Sequence, residues 1–326
     1  MALLTISGSP HIQSKETTKS IMWNVVAALI PTLLVGIYYF GFRVLVVTLV
    51  SVAACVFFEW LIQKFILHGE QTISDGSAVI TGILLAFNLP SDIPFYIVLI
   101  GAIVAIGIGK MTFGGLGKNP FNPALVGRVF LFLSFPTEVA KSEWTQPHPL
   151  FSGKLADAFT GPTPLAEIGK NNAQNLNVLD MFLGSTGGSL GEVAAIAIII
   201  GGIYLLLKRI ITWHIPFAFL ASAFAFSGIL YLFGITVSPI YHLLAGGMML
   251  GAVFMATDPV TSARTETGKW IYGFLIGFMA IIIRLFNPGY PEGMMLAILF
   301  MNVFAPLIDY CVVERNVSAR IKRINK

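Results

Sequence analysis

Gly82-Ile83-Leu84-Leu85-Ala86-Phe87-Asn88-Leu89-Pro90 and Gly251-Ala252-Val253-Phe254-Met255-Ala256-Thr257-Asp258-Pro259 have the same construction. Each runs from a glycine through five apolar residues into a polar stop that ends in proline. The two stretches are 169 residues apart. A second pair, Phe121-Asn122-Pro123 and Phe286-Asn287-Pro288, is 165 residues apart, and Trp23-Asn24 is echoed by Trp213-His214. Chance likeness between apolar helices is the competing explanation. Two matches in the same order at nearly equal offsets favour a single duplication. Short or Gly/Pro-interrupted apolar segments at corresponding places in two halves mark the binding region of repeat-built membrane folds.

Working outward, ten apolar segments can be marked: 22–40, 44–66, 76–90, 94–109, 121–137, 192–207, 214–233, 238–257, 270–285 and 293–312. A full span needs about 20 apolar residues. The segment 76–90 falls short of that, and 238–257 is interrupted by Gly246-Gly247. Five spans per half is an odd number, so the second copy enters from the opposite side and the repeats are inverted. The expected fold is an all-α integral membrane protein of about ten transmembrane helices in two inverted five-helix repeats. The first repeat covers 1–137, a polar loop 138–190, and the second repeat with its C-terminal tail 191–326. Composition excludes a soluble domain: 56% of residues are hydrophobic and 11% charged, with a mean hydropathy of +0.82, where soluble domains carry about 25% charged residues. Met1 to Ser20 is polar and reads as no cleaved signal peptide, so the first span is expected to direct insertion.

Lys and Arg gather on the cytoplasmic side of membrane proteins. With a cytoplasmic N-terminus, 14 of the 20 fall inside: Lys15, Lys19, Lys64, Lys110, Lys118, Lys208, Arg209, Arg264, Lys269, Arg315, Arg320, Lys322, Arg323 and Lys326. Arg43, Lys141, Lys154, Lys170 and Arg284 fall outside, and Arg128 lies within a span. Both termini are therefore expected in the cytoplasm and the 138–190 loop outside. The net charge of +4 reflects this loop and tail bias and points to membrane orientation, not to nucleic acid. Cys55 and Cys311 lie in apolar segments and read as buried packing residues. Two thiols cannot hold an iron–sulfur cluster, which takes about four ligands.

The long loop contains Asp157-Ala158-Phe159-Thr160-Gly161-Pro162-Thr163. Read by itself, Asp157 or Thr160 caps a turn. The order also resembles the flavin-attachment sequence Asp-x-x-Ser/Thr-Gly-Ala-Ser/Thr, in which the last hydroxyl carries FMN through a phosphoester. Further strings resemble the D subunit of the Rnf electron-transport complex and its homologue, the B subunit of the sodium-pumping NADH:quinone oxidoreductase. They are Ser9-Pro10-His11-Ile12, Gly114-Gly115-Leu116-Gly117-Lys118-Asn119-Pro120-Phe121-Asn122-Pro123-Ala124 and Thr160-Gly161-Pro162-Thr163. Gly188-Ser189-Leu190-Gly191-Glu192, Met255-Ala256-Thr257-Asp258-Pro259-Val260-Thr261-Ser262 and Tyr290-Pro291-Glu292-Gly293-Met294-Met295, then Met301-Asn302, complete the series. The likeness spans the chain. The long N-terminal extension of the quinone-reductase subunit is missing, so the Rnf subunit is the nearer match.

This resemblance implies a urea-transporter-like fold and an FMN on Thr163, with a second, non-covalent flavin (riboflavin). Asp157, Thr160, Gly161, Ser189, Asn119, Asn122 and Arg128 are the other expected cofactor-binding residues. Pro162 departs from the usual alanine, fixes φ and removes a donor; should the bend exclude Thr163, Thr160 is the substitute. Gly161 lets a flavin transferase approach, and Asp157 either binds the metal that accompanies the flavin donor or orients the loop. The resemblance further implies electron relay between ferredoxin and NAD coupled to Na⁺ or H⁺ movement. It names the other Rnf subunits (A, B, C, E and G), a flavin transferase and the lipid bilayer as partners, and the bacterial inner membrane as location. No Rossmann fingerprint and no metal-ligand cluster is visible. The alternatives are a channel or facilitator for small polar solutes and a scaffold without cofactor.

Single residues add expectations. Arg128 reads as a lone cation in an apolar span, set either to stabilise an anionic reduced flavin or to snorkel to the cytoplasmic face. Glu59 is functional or interfacial beside Trp60 and Lys64. Asp258 lines a cavity or ends a helix in an Asp-Pro turn, and Asp309 is interfacial. Gly188-Ser189-Leu190-Gly191 offers amides to a phosphate at a helix start, or is simply that start.

Overall fold

The computed structural model describes residues 17–68, 71–139, 143–147, 160–170, 176–189, 191, 195–287 and 292–324. The first half holds α1 (Thr18–Phe40), α2 (Phe42–Ile62), α3 (Ser77–Phe87), α4 (Phe95–Ile103), α5 (Pro123–Ser134) and α6 (Pro136–Val139). Wider π-helical turns carry α2 on through Gln63–Leu67 and α4 through Val104–Ile108. Between the halves lie β1 (Glu143–Thr145), β2 (Thr160–Pro162), α7 (Pro164–Gly169) and α8 (Val178–Leu183). The second half holds α9 (Ala195–Leu207), α10 (His214–Leu232), α11 (Pro239–Leu244), α12 (Met248–Leu250), α13 (Glu266–Phe286) and α14 (Gly293–Ile324). A π-turn over Gly251–Met255 prolongs α12.

Each apolar segment read from the sequence contains helix among the described residues, with 76–90 ending its helix at Phe87 and 238–257 broken between Leu244 and Met248. Among the described residues six helices are long and apolar enough to cross a membrane: Thr18–Phe40, Phe42–Leu67, Phe95–Phe113, His214–Leu232, Glu266–Phe286 and Gly293–Ile324. Ser77–Phe87, Pro123–Ser134 and Ala195–Leu207 are shorter apolar helices. Large apolar side chains such as Phe42, Leu49, Phe57, Leu133, Leu207 and Leu232 are exposed. Water would penalise such a belt; a hydrocarbon surround makes it costless. The chain is an all-α integral membrane protein.

The two interrupted stretches end where their sequences stop being helical. α3 starts after Gly76, whose φ of 85° suits glycine, and its first amide is held by Asp75. It stops at Asn88, whose side chain turns back to donate to the Leu84 carbonyl at 2.6 Å. In the second half the break comes earlier, at Gly246 and Gly247, with φ of 65° and 66°. The two short segments run in opposite directions. Phe87 and Leu250 meet against Gly191 at one end, while Ser77 and Asp258 line one cavity at the other.

The first-half core gathers Val44, Cys55, Leu85, Ile97, Ile106 and Leu131. A second core joins α1, α3 and α5 to the second half through Leu29, Phe87, Phe219, Tyr272 and Ile298. Small residues let these helices touch, as expected where lipid removes the hydrophobic drive between them. A methyl on Gly277 of α13 would strike the Phe219 carbonyl of α10. Cys55 is buried as expected, but Cys311 lies on the exposed face of α14. The 138–190 stretch, read as a polar loop, contains the short helices α7 and α8 and an antiparallel ribbon pairing Glu143 with Pro162 and Thr145 with Thr160.

Candidate functional site

Two groups of the expected residues assemble, at opposite ends of the helix bundle. The first is the ribbon. Thr160 is exposed on β2. Thr163 follows the strand and caps α7: its Oγ1 accepts from the Ala166 amide at 3.1 Å, and Pro164 takes the first helical position, which needs no N–H. Thr163 is 9% exposed. Gly161 has a packing reason beyond approach, because a methyl there would come within 2.8 Å of the Gln146 amide nitrogen. Gly187 lies against the same Gln146 side chain, which brings the segment leading to buried Ser189 beside the ribbon. Asp157 lies outside the described residues.

Under the ribbon is a polar layer that no sequence pattern marks. Leu165 packs beside Gly246 and the Arg284 guanidinium. Arg284 donates to the carbonyls of His242 at 2.7 Å and Ala245 at 3.1 Å, on the stretch broken by Gly246 and Gly247. His242 Nε2 is 2.7 Å from Thr236 Oγ1. Glu167, one turn after Thr163, is buried, and its Oε2 has no hydrogen-bond partner. Arg284 is therefore not the free outer-side charge that the charge count takes it for.

The second group lines a partly open cavity of about 70 Å³. Asn119, Asn122, Ser77, Lys110, Thr257 and Asp258 supply its polar wall, and Ile80, Leu84, Leu205 and Phe254 its apolar one. Asn122 caps α5 through the Ala124 amide and its Nδ2 reaches the Met255 carbonyl at 3.4 Å, tying the two halves together. Asn119 Nδ2 donates to the Phe121 carbonyl at 2.9 Å, leaving its buried Oδ1 without a partner. Asp258 both lines the cavity and forms the expected turn, accepting from the Val260 amide at 3.2 Å and Thr261 Oγ1 at 3.0 Å. Desolvation pushes its carboxyl above the ordinary range, against the pull of those two hydrogen bonds.

Three single-residue expectations change. Glu59 is fully buried, not interfacial: Lys110 Nζ lies 2.6 Å from its Oε2 and also donates to Ser77 Oγ at 2.6 Å. Lys110, counted with the loop lysines, is a buried cation at the cavity wall. Arg128 is neither alone nor snorkelling. It is fully buried and pairs with Glu292 at 2.9 Å, with the Phe132 ring 5.8 Å away. The structure does not bring it into either group. Gly191 spends its amide on the Phe87 carbonyl at 2.8 Å, so that amide serves packing. Asp309 is a cap, accepting from the Arg264 and Thr265 amides at the start of α13. Among the described residues no cluster of three or more His, Cys, Asp or Glu could hold a metal ion.

Comparison with known proteins matches residues 5–318 to the NQR2, RnfD, RnfE family. The D subunit of the Na⁺-translocating ferredoxin:NAD⁺ oxidoreductase complex of Acetobacterium woodii is 43% identical over 315 residues, covering 96% of this chain and 94% of the relative. The D subunit of the proton-translocating ferredoxin:NAD⁺ oxidoreductase complex of Clostridium ljungdahlii is 40% identical over 320 residues, covering 94% of each. The B subunit of the Na⁺-translocating NADH-quinone reductase of Pseudomonas aeruginosa is 42% identical over 256 residues, covering 75% of this chain and 61% of that relative.

Proposed function

Because this chain belongs to the NQR2, RnfD, RnfE family, we propose that it is a subunit of an ion-translocating oxidoreductase of the Rnf type. In this reading it relays electrons between ferredoxin and NAD through an FMN held by a phosphoester on Thr163, coupled to Na⁺ or H⁺ movement. The observation that carries the reading is Thr163 itself, a hydroxyl placed as the cap of α7 at the end of an ordered ribbon. The surroundings fit an FMN phosphoester. An esterified Oγ still accepts the Ala166 amide hydrogen bond, and the start of a helix favours an anion. The orphaned Glu167 Oε2 beside the cap can accept from a flavin ring N–H or ribityl hydroxyl. The group would supply one- and two-electron chemistry; the chain's part is to hold it and set its charge environment.

The cavity at the other end supports a second, non-covalent flavin such as riboflavin. The Asn119 amide, with a buried orphan oxygen, faces a wall of aliphatic residues, the mixture a flat, hydrogen-bonding ring system takes. Two flavins at opposite ends would form a path for electrons across the membrane. The other Rnf subunits would deliver and remove them, a flavin transferase would load Thr163, and the bacterial inner membrane would house the assembly.

A phosphoester-linked flavin survives denaturation. With a flavin transferase co-expressed, the subunit band should fluoresce under ultraviolet light after denaturing electrophoresis. The tryptic peptide from Leu155 to Lys170 should carry the mass of FMN. Thr163→Ala should abolish both signals without preventing membrane insertion, and Thr163→Ser should retain part of the label. Fluorescence that persists in the alanine variant moves the attachment to Thr160; a parent band with no flavin refutes the covalent reading.

A further inference from the structure

The repeat that organises the sequence also relates the two groups of polar residues. The offset of 169 that places Gly251 on Gly82 places Gly246 on Ser77. The offset of 165 that places Phe286-Asn287-Pro288 on Phe121-Asn122-Pro123 places Arg284 on Asn119. Ser77 and Asn119 line the cavity. Gly246 and Arg284 lie together under the ribbon, where a methyl on Gly246 would come within 2.6 Å of Arg284 Nη2 and 3.0 Å of Leu165. Thr163 stands two residues before that leucine. Corresponding positions of the two halves thus build both ends of the bundle.

Those positions differ in charge. At the cavity, Ser77 Oγ accepts from Lys110 Nζ at 2.6 Å, and the Lys110 charge is matched by Glu59 at 2.6 Å. Asn119 beside them is a neutral amide. In the second half, glycine removes the side chain at 246 and a guanidinium takes the space. Arg284 is buried, and the carbonyls of His242 and Ala245 orient it at 2.7 and 3.1 Å. Bracing those carbonyls takes hydrogen-bond donors, not a permanent charge. A guanidinium keeps its charge even when buried, and buried cations in membrane proteins are costly and mark function. A flavin that takes up an electron gains negative charge, and a cation beside it favours that charged form.

We propose that Arg284 raises the reduction potential of the flavin on Thr163, as the charged counterpart of the neutral Asn119 at the cavity. The guanidinium stabilises the added electron by charge alone; no proton moves and no bond forms or breaks. The inference deepens the covalent reading of Thr163 and rests on it.

The test is a redox titration of the intact complex extracted from native membranes, with fluorescence of the subunit band checked on a denaturing gel. Arg284→Gln should keep the fluorescent label and the membrane level. It should shift the one-electron reduction equilibrium of the linked flavin at least about tenfold toward the oxidised form, a fall of about 59 mV. Arg284→Lys loses the planar fork of donors but keeps the charge. It should lower the melting temperature of the complex and hold the potential. An unmoved potential in the glutamine variant, or an equal fall in the lysine variant, overturns the inference and leaves Arg284 as a brace for the broken segment. Where the glutamine variant does not reach the membrane, the lysine variant decides alone: a held potential supports the inference and a fallen one overturns it. A parent band without fluorescence defeats the covalent reading, and this inference with it. A fluorescent band whose potential ignores the charge at 284 defeats this inference only.

Discussion

A charge left without its partner in an apolar interior is among the most destabilising changes a single residue can make, at about 3–5 kcal/mol. Arg128 and Glu292 are joined at 2.9 Å across the two halves, with the arginine fully buried. Arg128→Gln is therefore expected to lower thermal stability of the detergent-solubilised protein sharply. Arg128→Met with Glu292→Met should recover most of the loss, because a pair replaced by apolar groups leaves no orphan. Melting followed by size-exclusion chromatography reads both; a double variant no better than the single one would show that the two do not act as a pair. The same logic holds for Lys110 and Glu59 at 2.6 Å. Lys110→Met should destabilise, and adding Glu59→Gln should restore stability and, with it, turnover, unless the cavity beside them needs the charge for electron transfer. In that case stability returns and turnover does not. The sequence marks Arg128 and Glu59 as unusual because a charge in an apolar run is visible locally. Their partners lie 164 and 51 residues away, and no local pattern announces such a pairing. Lys110 reads as a loop lysine because it follows a long apolar run, where solvent is the usual destination.

At the level of elements, the long helices and the α3 stop are legible because an apolar run of that length, ended by Asn-Leu-Pro, has few other solutions. The six-residue helices α7 and α8 are not. They hold too few turns for a 3.6-residue period to register, and they form because Thr163 and Asn177 cap them. The hydroxyl loop itself is legible from its resemblance, while the polar layer of Glu167, Arg284 and His242 is not, because three distant segments build it. Helix contacts follow glycines whose meaning depends on what they face. Gly277→Ala would drive a methyl into the Phe219 carbonyl and Ser222 Oγ. It is expected to cost at least about 1–3 kcal/mol, as overpacked sites do. At Gly228 a methyl would meet only Pro239 Cγ at 3.5 Å, an ordinary contact. Gly228→Ala should be neutral or stabilise by up to about 1 kcal/mol, since glycine costs a helix interior that much. Equal melting temperatures for the two variants would break the link between glycine and helix approach.

For the whole molecule, orientation decides which of the two proposed flavin sites meets which compartment. Two of the charges counted in the sequence are not free. Lys110 is paired with Glu59, and Arg284 is buried against backbone carbonyls. Removing both leaves 13 inner-side cations against 4 outer ones, so the bias does not depend on them. The cavity containing Asn119 and Asn122 is bordered by Leu116 and Ile210, next to Lys118 and Arg209, and so faces the basic end. Thr163 packs through Leu165 against the Val237–Ala245 region, beyond the far end of α10. A reporter fused after Lys326 should therefore be active only in the cytoplasm, and one inserted at Asn172 only outside. A membrane-impermeant thiol reagent should label a cysteine placed at Lys118 in inverted vesicles and not in intact cells. The reverse pattern at all three positions would turn the molecule over, moving the Thr163 site to the cytoplasm and the cavity outside. Agreement at Lys326 and Lys118 with disagreement at Asn172 would instead require an even number of crossings before the loop, and the inverted arrangement of the halves would fall.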